Sequence, residues 1–171
     1  GPLRLRRPAQ GAGLEPGALI HVGTQKIEQI RIRRVQYGEA ALKEEEIADP
    51  KAVAEGIDPA LVTWVNIEGV HHPEAIEKIG AAFKLHSLTL EDILNTTHRT
   101  KLDDYDNYIF LVLKMFRHPV NTSGESGIQS DQLCLVLGKG FVLSFCEKPE
   151  AALDPILKRI QKAAGRIRKM G

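Results

Sequence analysis

Residues 132–146 read QLCLVLGKGFVLSFC, in which two apolar runs flank Gly138-Lys139-Gly140. Two such runs around a short glycine-containing turn are typical of an antiparallel β-hairpin. Upstream, residues 108–113 read YIFLVL and form the longest uninterrupted apolar run of the chain. A strand that is apolar on both faces is expected in the middle of a sheet that is covered on both sides. This part of the chain therefore predicts the centre of a β-sheet.

The sequence on either side of this centre predicts further strands and helices in alternation. Strand-like runs occupy residues 18–22, 27–35, 61–67 and 101–104. Helical patterns occupy residues 39–46, 73–83, 87–95 and the stretch that begins at Asp154-Pro155. Proline suits the first turn of two of these helices, and Ser87 is a good N-cap. About seven strands and at least four helices predict an α/β fold with a mixed sheet.

The composition is that of an ordinary folded protein, with 171 residues of which 43% are hydrophobic and 26% charged. This length favours a single domain, and no apolar run approaches the roughly 20 residues of a membrane-spanning helix. The net charge of +1 excludes a strongly basic nucleic-acid-binding protein, so no nucleic acid partner is expected. Cys134 and Cys146 lack zinc-site spacing and are expected to be buried free thiols.

The small net charge hides an uneven distribution. Residues 1–37 carry seven basic and two acidic side chains, residues 38–131 carry eight and seventeen, and residues 132–171 carry eight and three. The three segments therefore have net charges of +5, −9 and +5. An acidic middle between two basic ends indicates a partner.

Three parts of the chain are expected. Residues 1–17 are rich in Gly, Pro and Arg and are predicted to form a mobile N-terminal arm, whose Gly1-Pro2 resembles the remnant of a protease cleavage site. Residues 18–153 are predicted to form the α/β domain. Residues 154–171 are predicted to form the start of a longer, truncated C-terminal helix, since no helix-capping signal precedes Gly171.

Carboxylates are the most informative candidates for a functional site. The chain has no Gly-x-Ser-x-Gly elbow, P-loop or Gly-x-Gly-x-x-Gly motif, so no enzyme activity is predicted. Glu91 and Asp92 lie in the helix predicted at residues 87–95. Because an α-helix rotates by about 100° per residue, Glu91 is expected at the side of the buried face and Asp92 on the opposite face of the helix. Acids near a helix N-terminus stabilise the helix dipole. Alternatively they bind a hard cation such as Mg²⁺, and diverging side chains suit two neighbouring ions.

Three motifs carry a resemblance to a known family. They are Trp64-Val-Asn-Ile-Glu-Gly69, His86-Ser-Leu-Thr-Leu-Glu-Asp-Ile-Leu-Asn95 and Asn107-Tyr-Ile-Phe-Leu-Val-Leu-Lys-Met-Phe116. Through them the chain resembles the N-terminal cytoplasmic domain of CorA-type divalent-cation channels over most of residues 14–170. The resemblance implies an α/β/α sandwich that ends in the start of a long stalk helix, truncated here. It also implies the cytoplasmic part of an inner-membrane protein that transports Mg²⁺, Co²⁺ or Ni²⁺ and is anchored by C-terminal membrane helices.

The resemblance further implies how such a domain works. Five subunits form a homopentamer, and regulatory Mg²⁺ bound between neighbouring cytoplasmic domains holds the channel closed. The implied intersubunit ligands are Glu91, Asp92 and Asp154, with a backbone carbonyl from Leu14. An acidic partner for Asp92 on the stalk helix is absent from this sequence.

Two alternatives stay open from the sequence. A zinc-transporting relative shares the layout of this domain, and the sequence contains no pore residue that would exclude it. A free-standing soluble α/β enzyme with a carboxylate metal site is the other alternative. It is disfavoured because the chain lacks a catalytic constellation and its last helix has no end signal.

Overall fold

The centre of the fold is a mixed sheet of seven strands. The computed structural model describes residues 29–97, 99–117, 129–149, 153–162 and 166–170. The strands are β1 (Arg31–Tyr37), β2 (Leu42–Glu46), β3 (Val62–Glu68), β4 (Lys101–Tyr105), β5 (Tyr108–Arg117), β6 (Gln129–Gly138) and β7 (Phe141–Cys146). Their order across the sheet is β2-β1-β3-β7-β6-β5-β4, in which β3 and β7 are parallel and all other neighbours are antiparallel. The predicted mixed sheet and its β6–β7 hairpin are confirmed.

Helices cover both faces of this sheet. They are α1 (Pro73–Ala82), α2 (Ser87–Leu94), α3 (Asp154–Gln161) and α4 (Arg166–Met170). Pro73 and Pro155 occupy the first turns of α1 and α3, where a missing N–H leaves no hydrogen bond unmade. The buried residues of α1 and α2 pack on one face, and those of α3 pack on the other. The expected α/β/α sandwich is therefore confirmed.

Alternation along the strands divides the core into two clusters. In β3, Val65 and Ile67 face the α1–α2 layer, whereas Trp64 faces the α3–α4 layer. The first cluster is the larger and includes the fully buried Ile76 and Leu94. Each such aliphatic side chain stabilises the fold by about 1.5–3 kcal/mol relative to its exposed state. The smaller cluster consists of Val35, Tyr37, Leu157 and Ile160.

The helix predicted at residues 39–46 is wrong. The N–H of Gly38 donates to the carbonyl of Ala41 to close a turn, and the glutamates that follow lie on strand β2. Cross-strand ion pairs explain the difference, because Arg34 of β1 lies 2.6 Å from Glu45 and Arg31 lies 2.6 Å from Glu46. Pairing with a neighbouring strand outweighs the local helical preference of a glutamate-rich stretch. The charged side chains also protect an exposed sheet edge.

The start of α2 is fixed by β5. The predicted cap, Ser87, is instead the first helical residue, and the Nδ1 atom of His86 accepts a hydrogen bond from the backbone N–H of Leu88 at 3.1 Å. The hydroxyl of Tyr108 accepts from the backbone N–H of His86 at 2.9 Å and lies 2.7 Å from the hydroxyl of Thr89. A histidine cap replaces the serine cap because these contacts hold the residue before the helix in place.

The predicted C-terminal helix is divided in the structure. Helix α3 ends at Gln161, and α4 covers Arg166–Met170. The buried guanidinium of Arg168 donates to the carbonyl of Gly38 at 2.6 Å, of Ile160 at 2.7 Å and of Ala41 at 3.1 Å. This clamp ties α4 to the β1–β2 turn and to the end of α3. The longer stalk helix stays a prediction.

Several sequence-based expectations concern residues outside the described ranges. They are the arm at residues 1–17 with Leu14, the strand at residues 18–22 and part of the boundary between the α/β domain and the C-terminal helix. The proposed division of the chain at residues 17 and 153 therefore stays a prediction. Within the described ranges, no helix is both long and apolar enough to cross a membrane.

Both cysteines are buried free thiols, as predicted. Burial raises the pKa of the Cys134 thiol to about 12, and the side chain of Gln132 only partly offsets this effect by donating to the sulfur. The thiol is therefore protonated and unreactive near neutral pH.

We expect Arg168→Met to lower the free energy of unfolding by roughly 2 kcal/mol, because the substitution leaves several carbonyl oxygens without their charged donor. Urea denaturation of the chain measures this loss. Lys169→Met is the matched control, since Lys169 is exposed on the same helix, and its effect should stay within about 0.5 kcal/mol. Equal effects of the two substitutions would contradict the clamp.

The raised pKa of Cys134 predicts a loss of stability at high pH. In the unfolded chain the thiol ionises near 9.0, and in the folded chain only near about 12. The stabilisation that the buried, protonated thiol provides is therefore fully present below pH 9.0. As the pH rises from there towards the pKa of the folded chain, the free energy of unfolding falls by up to about 1.4 kcal/mol per pH unit. The free energy of unfolding should fall more steeply above pH 9.0 in the native sequence than in Cys134→Ala. Parallel curves would refute this effect.

Candidate metal-binding surfaces

Helix α2 presents two consecutive carboxylates at one edge of the sheet. Glu91 is exposed, whereas the side chain of Asp92 is only 14% exposed. The expectation that Asp92 points into solvent is therefore wrong. The reason is that Lys101 of edge strand β4 forms an ion pair with Asp92 on the side of α2 that helix periodicity assigns to solvent. The divergence of the two side chains agrees with their spacing of 100°.

Lys101 of β4 joins two carboxylates at this edge. Its Nζ lies 2.5 Å from Oδ2 of Asp92 and 3.0 Å from Oδ2 of Asp103. The hydrogen bond to Asp92 raises the pKa of Lys101 above its ordinary value, and Asp103 adds to the effect. The side chain of Lys101 is one-third exposed, so water screens the pair strongly. The arrangement shows that these two carboxylates can share one cation.

These groups line an open depression of about 490 Å³, which we call the α2–β4 surface. Its lining residues are Leu88, Asp92, Lys101, Leu102, Asp103, Asp104 and Tyr105. Leu88 is 55% exposed and Leu102 is 63% exposed. Burial of these two apolar side chains against another protein would stabilise such a contact.

The third candidate carboxylate, Asp154, lies elsewhere. It is the exposed first residue of α3 and lines a polar cavity of about 280 Å³, which we call the α3 pocket. Arg31 and Arg33 of β1 and the buried Glu68 of β3 also line this pocket. Sequence reasoning did not single out Glu68, although strand alternation with Trp64 places it on the α3–α4 face of the sheet.

A hydrogen-bonded chain of polar side chains runs into the α3 pocket. Trp64 donates to the hydroxyl of Ser144 at 2.9 Å, and that hydroxyl donates to Oδ1 of Asn66 at 2.7 Å. The amide of Asn66 then donates to Glu68 at 3.2 Å. The carboxylate of Glu68 is thus held in place beside the two arginines, so the pocket contains both acidic and basic side chains. Asp154 is the acid of this pocket that is exposed to solvent.

The two candidate surfaces are far apart within one chain. Asp92 lies on the α1–α2 face beside β4, and Asp154 lies on the α3–α4 face near β1 and β3. Strands β3 and β4 are four strand spacings apart, or about 19 Å. Among the described residues, no group of three or more His, Cys, Asp or Glu side chains could hold a metal ion. The structure therefore does not bring Asp92 and Asp154 together, and Leu14 lies outside the described ranges.

The α2–β4 surface fits a hard cation as a partial site. Its donors are carboxylate oxygens, and an ammonium already lies between two of them. Mg²⁺ retains several waters and takes only one or two carboxylates from a protein. Zn²⁺ prefers nitrogen and sulfur donors, whereas both cysteines are buried in the sheet. The chemistry of this surface thus suits Mg²⁺ better than Zn²⁺.

Comparisons with known proteins agree with this fold. The model of the family described as CorA-like Mg²⁺ transporter protein matches residues 60–171. The cobalt/magnesium transport protein CorA of Thermotoga maritima is 36% identical over 164 residues, which are 96% of this chain and 46% of the relative. The chain thus spans about half the length of that relative.

Solved structures show the same fold at low sequence identity. The ZntB cytoplasmic domain of Vibrio parahaemolyticus matches with a TM-score of 0.56 and 16% identity, over 81% of this chain and 52% of that one. The soluble domain of CorA from Methanocaldococcus jannaschii matches with a TM-score of 0.54 and 12% identity, over 80% of this chain and 49% of that one. With a family model over more than half of its length and a relative at 36% identity, the chain belongs to the CorA-like Mg²⁺ transporter family.

Proposed function

We propose that this chain is the cytoplasmic, Mg²⁺-sensing domain of a CorA-type pentameric channel. The channel transports divalent cations, which are Mg²⁺ and also Co²⁺ or Ni²⁺. The chain spans about half of its Thermotoga relative, and in this proposal the membrane helices and the pore belong to the other part of the protein. The role of the domain is regulation. Mg²⁺ between neighbouring copies stabilises the closed channel, and its loss lets the copies move apart.

The observation that carries the proposal is the separation of the two carboxylate surfaces within one chain. Asp92 and Asp154 lie on opposite faces and towards opposite ends of the sheet. One ion can contact Asp154 together with a carboxylate of α2 only where two copies meet, with the α2–β4 surface of one copy against the α3 pocket of the next. Such head-to-tail contacts between unlike surfaces repeat from copy to copy and close into a ring when the rotation permits. The number five rests on the family resemblance.

The proposed ligands divide between the two copies. Glu91 and Asp92 come from one copy, and Asp154 with the backbone carbonyl of Leu14 comes from its neighbour. The exposed Leu88 and Leu102 beside Asp92 support a protein contact at this place. They become buried when the copies meet, which adds an apolar contribution to the contact.

Electrostatics explains why the contact depends on metal. Two carboxylates about 4 Å apart repel each other by about 4 kcal/mol at the effective dielectric constant of a protein surface. A divalent cation between them replaces this repulsion with attraction to both. Binding of Mg²⁺ and association of the domains are therefore linked, and each strengthens the other. Sites that keep several waters bind weakly enough to respond to changes in Mg²⁺ concentration.

A zinc-transporting channel is the second candidate function, because the ZntB cytoplasmic domain shares the fold. The oxygen donors of the α2–β4 surface favour Mg²⁺ as the regulatory ion, since Zn²⁺ prefers nitrogen and sulfur. The 36% identity to a cobalt/magnesium transport protein supports the same choice. A free-standing enzyme is disfavoured, because this relative is a transport protein rather than an enzyme.

Asp92→Asn and Asp154→Asn in the full-length protein test the proposal. Each substitution removes a charged ligand, so the Mg²⁺ concentration that protects half of the protein from limited proteolysis should rise at least about tenfold. Glu77→Gln is the matched control, because Glu77 is exposed on α1 and belongs to neither surface, and it should leave this concentration unchanged. Unchanged protection in both Asp variants would contradict the assignment.

A further inference from the structure

Lys101 is not a proposed metal ligand, but its position indicates that it affects metal binding. This inference rests on the proposed function. Its ammonium lies between the carboxylates of Asp92 and Asp103, at 2.5 Å and 3.0 Å. This is the position in which a metal ion would contact the same two oxygens. A cation that binds Asp92 at this edge therefore competes with the positive charge of Lys101.

The backbone holds this arrangement in place. Lys101 and Asp103 are two residues apart on β4, so both side chains point to the same face, towards α2. Asp92 approaches from α2 and is mostly buried, whereas Lys101 remains one-third exposed. Because β4 is an edge strand, a flexible lysine there can turn towards solvent without disturbing the core. The ammonium is thus bound in position and is also free to leave.

We propose that Lys101 is an internal competitor of the divalent cation for Asp92 and thereby sets the Mg²⁺ concentration at which the domains associate. Without metal, the ammonium neutralises Asp92 and occupies the α2–β4 surface. When Mg²⁺ binds, Lys101 leaves Asp92 and turns towards solvent. The apparent affinity for Mg²⁺ is reduced by the fraction of time that the competitor occupies the site.

The size of the effect follows from the exposure of the pair. Exposed ion pairs are weak, because water and salt screen them. The ammonium nevertheless places a positive charge next to the incoming cation, and this repulsion adds to the competition. We expect Lys101 to weaken the apparent Mg²⁺ affinity by about three- to tenfold. High ionic strength should reduce this difference.

The test compares Lys101→Met, Lys101→Gln and Lys101→Arg in the full-length protein. The midpoint of Mg²⁺ protection against proteolysis and the Mg²⁺ affinity in calorimetry are measured for each. Both neutral variants should shift both values about three- to tenfold towards lower Mg²⁺ concentration, while Lys101→Arg, which keeps the charge, should stay near the native sequence. Lys43→Met is the matched control, since Lys43 is exposed on the opposite edge strand β2.

The outcomes separate this inference from the proposed function. If Asp92→Asn weakens Mg²⁺ protection but neither neutral Lys101 variant strengthens it, the competitor role is overturned while the metal site stands. If Asp92→Asn has no effect, the proposed function itself fails. A shift of the same size in Lys43→Met would show a general charge effect and would also overturn the competitor role.

Discussion

The parallel pairing of β3 with β7 holds the two halves of the sheet together. On one side lie β2 and β1, of which β1 carries the arginines of the α3 pocket. On the other lie β6, β5 and β4, which end at the α2–β4 surface. A parallel pair cannot be joined by a tight turn, and here the connection between β3 and β7 includes α1, α2 and three further strands. With β3 and β7 paired in this way, β3 beside the α3 pocket and β4 at the α2–β4 surface are four strand spacings, or about 19 Å, apart.

The uneven charge of the sequence has a partly structural origin. Arginines of β1, which belong to the basic first segment, pair with glutamates of β2, which belong to the acidic middle. These pairs neutralise charges that look separate in the sequence. Another part of the acidic segment lies at the α2–β4 surface, where the ammonium of Lys101 lies between the carboxylates of Asp92 and Asp103. In the proposed function, this surface is where a divalent cation meets the acidic segment of the chain.

The sheet could be predicted from sequence, because its strands are marked by apolar runs and by the glycines of the β6–β7 hairpin. The strand at residues 42–46 could not, because its partner Arg34 lies eleven residues from Glu45 and local propensity favours a helix. Helix periodicity located Glu91 and Asp92 but gave the wrong surroundings for Asp92, since it does not include β4. Alternation along β4 does place Lys101 and Asp103 on one face, but their approach to α2 depends on the tertiary fold.

In the proposed function, Mg²⁺ joins the α2–β4 surface of one copy to the α3 pocket of the next. It is tested by cross-linking the full-length protein with a short bismaleimide after Leu88→Cys, Ile156→Cys or both, which leave the carboxylates intact. Both positions are exposed, whereas Cys134 and Cys146 are buried. We expect a Mg²⁺-dependent ladder of cross-linked species in the double variant and none in either single variant. Equal cross-linking in a single variant, or a ladder independent of Mg²⁺, would contradict it.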